Sequence, residues 1–176
     1  MDTGVDRMSA YDWLMEQLEQ HQARFRLIEH AAEGHTESAS ILRRHALAQA
    51  AKCLVVRVAT GRRSRRYVLA VVPGDRKVDL DVLRTMYVGR EASFAARDVA
   101  EQLAGSVSGS VMPFSRHPEL DLVVDPELLV HDEIFFNAAR LDRSVALATD
   151  DYLVMARPRV EPIAQQPVLS GRQHGG

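Results

Sequence analysis

Apolar and polar positions alternate most regularly over residues 50–58, Ala-Ala-Lys-Cys-Leu-Val-Val-Arg-Val, where β-branched residues dominate. Successive side chains of a strand point to opposite faces. Lys52, Leu54, Val56 and Val58 therefore share one face, and Cys53, Val55 and Arg57 the other. An ammonium is thereby aimed at a wholly apolar face. Two readings stand open. Either Lys52 sits at the strand end and snorkels to water, or it is a pocket cation placed to meet negative charge.

The rest of the pattern surrounds this strand with mixed elements. Residues 1–8 read as a loose start. Ser9 is placed to cap a helix over 10–22, in which Tyr11, Leu14, Met15 and Leu18 form one apolar stripe. Residues 25–30 alternate as a short strand. Thr36 is a candidate N-cap for a helix through residue 44, with Glu37 near its positive end. Residues 67–72 read as a return strand paired to 50–58, stopped by Pro73-Gly74. Asp79 caps a short helix carrying Leu80, Leu83 and Tyr87. A further helix is expected over 93–103, from Ala95, Ala96, Val99, Ala100 and Leu103, ended by Gly105. Residues 105–114 are rich in small residues and read as a loop. Strands are expected at 120–124, 133–136 and 144–147, with one helical turn at 126–130. Thr149 is a candidate cap for a last helix through residue 156. The implied architecture is α+β: a mixed, mostly antiparallel, barrel-like sheet surrounded by helices. One domain over 1–156 is followed by an aperiodic tail over 157–176, rich in Pro, Gln and Gly, which reads as disordered.

Composition narrows the function classes. The net charge of -2 provides no global positive field, so any nucleic-acid contact must use a local patch. The arginine turn, Arg62, Arg63, Arg65 and Arg66, is such a patch, with a solvated hairpin tip as the equal alternative. A single cysteine excludes an internal disulfide and a cysteine-rich zinc site. There is no apolar leader and no run long enough to span a bilayer, so a cytoplasmic protein without membrane contact is expected.

Several chemistries fail on spacing. His30, His35 and His45 do not have metal-ligand spacing, and HExxH is absent, so no metal is expected. Cys53 adjoins Lys52 in sequence, but neighbours on a strand face opposite ways, which makes a small core filler the better reading. Neither GxGxxG nor GxxxxGK[ST] occurs. The loop from Gly109 to Pro113 is more suggestive. A glycine backbone approaches a ligand closely and can present N–H groups to an oxyanion, although an ordinary turn explains its composition equally.

Taken together, these residues resemble the YbaK/ProX family of trans-editing aminoacyl-tRNA deacylases, whose domain also occurs as an insertion in prolyl-tRNA synthetases. The resemblance runs from about residue 25 to 155. It is carried by Ile28-Glu29-His30, Thr36, Ala51-Lys52, Val71-Val72-Pro73-Gly74-Asp75, Val78-Asp79-Leu80, the Gly109-x-x-x-Pro113 loop and Phe135-Phe136-Asn137-Ala138. Ala139 departs from it, standing where a glycine is expected. The strings Glu33-Gly34-His35-Thr36-Glu37 and Pro113-Phe114-Ser115 are most similar to the branch acting on tRNAs mischarged with Ser or Thr.

What the resemblance implies is an ester hydrolase without a cofactor, whose partner is the acceptor end of mischarged tRNA, with a synthetase as a further partner. Lys52 would orient the terminal adenosine or the carbonyl and offset negative charge. Gly109 and its loop would hold the oxyanion. His30, Thr36, Ser110, Pro113, Phe114 and Asn137 would bind substrate. An ester is already activated, so positioned water or the ribose 2′-hydroxyl suffices as attacking group. A module that binds the same tRNA end without turnover remains the alternative.

Overall fold

The computed structural model describes residues 8–167. In chain order the elements are α1 (Ala10–Gln20), β1 (Phe25–Glu29), α2 (Thr36–Arg43), β2 (Ala51–Ala59), β3 (Arg65–Pro73), α3 (Leu80–Met86), β4 (Glu91–Phe94), α4 (Arg97–Ala104), β5 (Leu120–Val124), β6 (Glu133–Asn137), β7 (Arg143–Ala148), α5 (Thr149–Ala156) and β8 (Arg159–Val160). Short 3-10 turns stand at Leu47–Gln49 and Leu128–Val130. The α+β class holds. The strands form two sheets, β1-β7-β6 and β4-β2-β3-β5-β8, and these do not close into a barrel. The smaller sheet is antiparallel. In the larger one β2 pairs antiparallel with β3 and β4, while β3–β5 and β5–β8 are parallel.

The alternation along β2 has a direct consequence. Val55 joins a core shared with Leu14 and Leu18 of α1, Leu69, Phe136, Val145 and Tyr152. Val56 and Val58 enter a second core on the opposite face, with Val68, Val72, Val123, Leu83 and Ile163. Because β2 and β3 are covered on both faces, their apolar runs are nearly continuous. Beyond the core they share, a parallel bridge between Ala50 and Phe135 ties the sheets together. That bridge sets the start of β2, with Lys52, beside Phe136 and Asn137 at the end of β6.

Three expectations are corrected. The helix over 93–103 is instead β4 followed by α4. Residues 91–94 pair with Val56–Ala59 of β2 and satisfy the outer backbone groups of that strand, which a helix there would leave unpaired. Thr36 and Thr149 are the first residues of their helices, not N-caps. His35 and Ala148 occupy the cap positions without side-chain bonds.

The third correction concerns the tail over 157–176. Residues 159–167 are ordered, while 168–176 lie outside the described residues, as do 1–7 of the loose start. Asp125 is 2% exposed, and its Oδ2 accepts the backbone N–H of Ile163 (2.9 Å) and Ala164 (2.8 Å). Oδ1 accepts that of Glu127 at 2.9 Å. The fully buried Ile163 completes the second core. A buried carboxylate binding backbone donors can order a segment with no hydrophobic period, which is why composition misled here.

Candidate active site

Where the sheets meet, α2, the start of β2, the end of β6 and the loop between α4 and β5 enclose a cavity of about 240 Å³. Thr36, Ala39 and Arg43 reach it from one face of α2. Ala51 and Lys52 come from β2, Phe136 and Asn137 from β6, and Gly109 and Val111 from the loop.

The Lys52 side chain is half-buried and makes no hydrogen bond or ion pair among the described residues. Burial pushes its ammonium below the usual lysine range. Asp75 and Glu37 oppose that shift from a distance and Lys77 adds to it. It therefore stands at the rim of its apolar face, a cation without a counter-ion in contact. Neighbouring Cys53 also borders the cavity, but burial drives its thiol well up, so it is held neutral and poorly suited to attack.

Asn137, 7% exposed, clamps the cavity walls together. Its Nδ2 donates to the carbonyls of Glu33 (2.9 Å) and Gly109 (2.8 Å). Its Oδ1 accepts from Ser144 Oγ (2.8 Å) and Arg43 Nη1 (3.4 Å). The clamped loops touch: Gly109 has φ of 86°, and a Cβ there would lie 2.7 Å from Gly34 Cα. Only glycine suits both demands. Ser110 N–H donates to Val107 O at 3.0 Å. Gly109 and Val111 both line the cavity, and their N–H groups have no partner among the described residues.

Of the residues expected at the site, Lys52, Gly109, Thr36 and Asn137 converge on the cavity. His30 lies one layer behind, with Nε2 2.7 Å from Ser144 Oγ, and so reaches the cavity through Ser144, which bonds Asn137 and Arg43. Ser110 is fully buried, its hydroxyl donating to Val107 O at 2.8 Å. Pro113 and Phe114 are loop anchors rather than wall. Pro113 O accepts from Tyr152 Oη at 2.7 Å, and Phe114 packs edge-on against Trp13, Phe136 and Tyr152.

The arginine turn lies at the opposite end of β2, about 23 Å from Lys52 along a strand of this rise. Arg62 and Arg63 are exposed there. Arg65 bonds Tyr67 Oη at 3.1 Å, and Arg66 pairs with Asp121 at 2.8 Å. Ala139 adopts φ of 58°, so the turn expected to carry glycine is made with alanine in the left-handed region.

Arg43 was missed. It is 7% exposed and has no carboxylate within ion-pairing distance among the described residues. Desolvation pushes its guanidinium down to about 10. The available signal was the spacing of Thr36, Ala39, Ser40 and Arg43, a helix face of small and polar residues ending in a cation.

The comparisons bear on the whole of this arrangement. Residues 31–154 match the family model described as the aminoacyl-tRNA editing domain. A Multifunctional Ser/Thr-tRNA deacylase, ProXp-y, of Escherichia coli is 44% identical over 144 residues, covering 81% of this chain and 86% of that protein. Among solved structures, a hypothetical protein superposes with a TM-score of 0.76 at 18% identity, covering 86% of this chain and 99% of that one. A candidate trans-editing enzyme for prolyl-tRNA synthetase superposes with a TM-score of 0.73 at 18% identity, covering 90% and 99%. The match over residues 31–154 takes in every wall of the cavity, and the chain belongs to the aminoacyl-tRNA editing domain family.

Proposed function

We propose that this protein is a trans-acting deacylase that hydrolyses the ester between a small amino acid, Ser or Thr foremost, and the terminal ribose of a mischarged tRNA. The observation that carries the reading is Lys52, a half-buried cation without a contacting counter-ion, at the mouth of a small cavity. Hydrolysis of an acyl ester develops negative charge on the carbonyl oxygen. Fixed donors facing that oxygen lower the barrier more effectively than water does. The free N–H groups of Gly109 and Val111 supply such donors, and Lys52 offsets the charge or orients the adenosine. The attacking oxygen comes from water or from the ribose 2′-hydroxyl. No activated side-chain nucleophile is required, which agrees with the neutral thiol of Cys53.

The cavity is below the range of about 300–1,000 Å³ usual for larger ligands, which supports a small acyl group. Leu54 borders it together with two outer depressions, one lined by Phe94 and Arg97, the other by Phe94 and Lys77. In this reading the acceptor end runs along that surface, and the exposed Phe94 offers a face for a base to stack on. A synthetase partner belongs to the same reading and is tested by co-purification.

The test is a panel of Ser-, Thr-, Ala- and Cys-charged tRNAs with wild type and Lys52→Ala. Wild type clears the small-residue esters, and Lys52→Ala abolishes clearance with unchanged circular dichroism. Wild-type rates in the variant would remove Lys52 from the chemistry. Binding without any turnover by wild type would make the protein a tRNA-end binding module instead.

A further inference from the structure

Depth within the cavity can be read from what else its walls touch. Lys52, Leu54, Gly109 and Val111 also border the outer depressions, so they form the mouth. Thr36, Ala39, Arg43, Phe136 and Asn137 border the inner cavity and neither of these depressions. They form its floor. A tRNA cannot enter a space of this size, so its ester stays at the mouth and the amino-acid side chain points to the floor.

The floor is not neutral. Arg43 Nε donates to His45 Nε2 at 2.9 Å, and Nη1 donates to Asn137 Oδ1 at 3.4 Å and Ser144 Oγ at 3.3 Å. Nη2 is left with no partner among the described residues. No aspartate or glutamate lines the cavity. Nη2 is not fully enclosed, so water can meet it when the cavity is empty, and a group that displaces that water must accept its hydrogen bond in turn. A guanidinium can only donate, so the complementary group is an oxygen, and an ammonium-bearing side chain is repelled.

Resting on the deacylase reading, we propose that Arg43 is the residue that reads the side-chain hydroxyl of a seryl or threonyl group. Its Nη2 donates to that oxygen from the cavity floor, while Gly109, Val111 and Lys52 act on the carbonyl at the mouth. An alanyl group fits the same space but leaves the donor unmet. A site built around a substrate hydroxyl discriminates against the analogue lacking it more strongly than an apolar pocket discriminates by size.

The test uses amide-linked, non-hydrolysable seryl- and alanyl-adenosine with the full chain, measured by calorimetry, alongside turnover of Ser- and Ala-tRNA. Wild type binds the seryl analogue about tenfold or more tighter than the alanyl one, the worth of one charge-assisted hydrogen bond. Arg43→Met brings the ratio to about one by costing the seryl analogue more than the alanyl one, and the kcat/KM ratio for Ser- over Ala-tRNA falls in parallel. If Arg43→Met does not fold, Arg43→Lys carries the test, because it keeps the charge without the planar fork and loses part of the preference. An unchanged ratio in the folded variants overturns the proposal. So does an equal loss for both analogues, the mark of a purely structural role, or a wild type without seryl preference. A wild type that binds with seryl preference but turns over nothing refutes the deacylase reading alone.

Discussion

Replacing Gly109 with alanine separates two costs when it is paired with the same change at Gly105. Both glycines have positive φ, 86° and 73°. Each variant therefore carries the left-handed penalty of about 1–2 kcal/mol for an L residue. Their surroundings differ. The nearest atom to a new Cβ at 105 is Arg116 Nη1 at 3.5 Å, the far end of a flexible side chain. At 109 the new Cβ meets backbone on three atoms, Gly34 Cα at 2.7 Å, O at 2.9 Å and C at 3.2 Å. Against an ordinary contact of about 3.5 Å, the two loops must part by roughly 0.8 Å. Such overpacking adds about 1–3 kcal/mol. Urea unfolding of the two variants should therefore differ by that added amount, with Gly109→Ala the less stable.

The same movement displaces the N–H groups of Gly109 and Val111 and stretches the 2.8 Å bond from Asn137 to Gly109 O. A misplacement near 1 Å costs on the order of 100-fold in rate. Gly109→Ala should lose deacylation on that scale, while Gly105→Ala keeps it. Equal stability and equal activity in the two variants would refute the claim that contact with Gly34 makes glycine obligatory.

Asn137→Ala strips the Glu33 and Gly109 carbonyls of their donor and should cost about 2–4 kcal/mol by urea titration, with deacylation lost as the loops separate. His45, stacked on Phe135 and accepting from Arg43, is lowered by burial to about 4, against its bond to Ala46 O. The unfolded chain therefore binds the extra proton between about pH 6.5 and 4, so this contribution to stability is complete above 6.5 and lost as pH falls through that window. His45→Phe should flatten the pH profile of thermal unfolding there, and an unchanged profile would exclude His45 as its source. Asp125→Ala leaves the buried N–H of residue 163 and the part-buried one of residue 164 unmet and should destabilise by about 2–4 kcal/mol. Hydrogen exchange should then rise first at those amides, and uniform protection would show that the carboxylate does not hold the segment.

How much of this could be read from the chain depended on range. β2 and its two faces, the β3 return, the Asp79 cap and the left-handed Gly105 terminus follow from neighbouring residues and are all present. β4 is decided elsewhere. Its last two residues fall in the expected helix, and what makes 91–94 a strand is the unsatisfied edge of β2 more than thirty positions earlier. In the site, Lys52 drew notice because a charge on an apolar alternation is conspicuous. Arg43 did not, because an arginine near a helix end normally reads as solvated, and only the tertiary packing of α2 against β6 and β7 turns it inward. Pro113 and Phe114 enter as substrate residues through the resemblance of the Gly109-x-x-x-Pro113 loop and the string after it, whereas the loop turns both side chains away from the cavity. A positive-φ glycine and a strand-leading lysine are local signatures. Which side of a loop faces a ligand is not.

The Asp125 clasp also has a consequence for the order in which the molecule is made. Among the described residues Ile163 is the last fully buried contribution to the second core, and β8 is the last strand of the larger sheet. Until the ribosome has delivered those residues, Val78 and Val123 lack their cover and the outer edge of β5 is open to pairing with other chains. The inner cavity is lined by residues 34–137, but its β6 wall pairs with β7, so it can take shape once residue 148 is in place. Chains interrupted between residues 148 and 163 thus carry a complete set of cavity walls on an unfinished body, with an apolar face showing. Such chains are recognisable to proteases by that face, so closure of the Asp125 clasp separates folded molecules from incomplete ones.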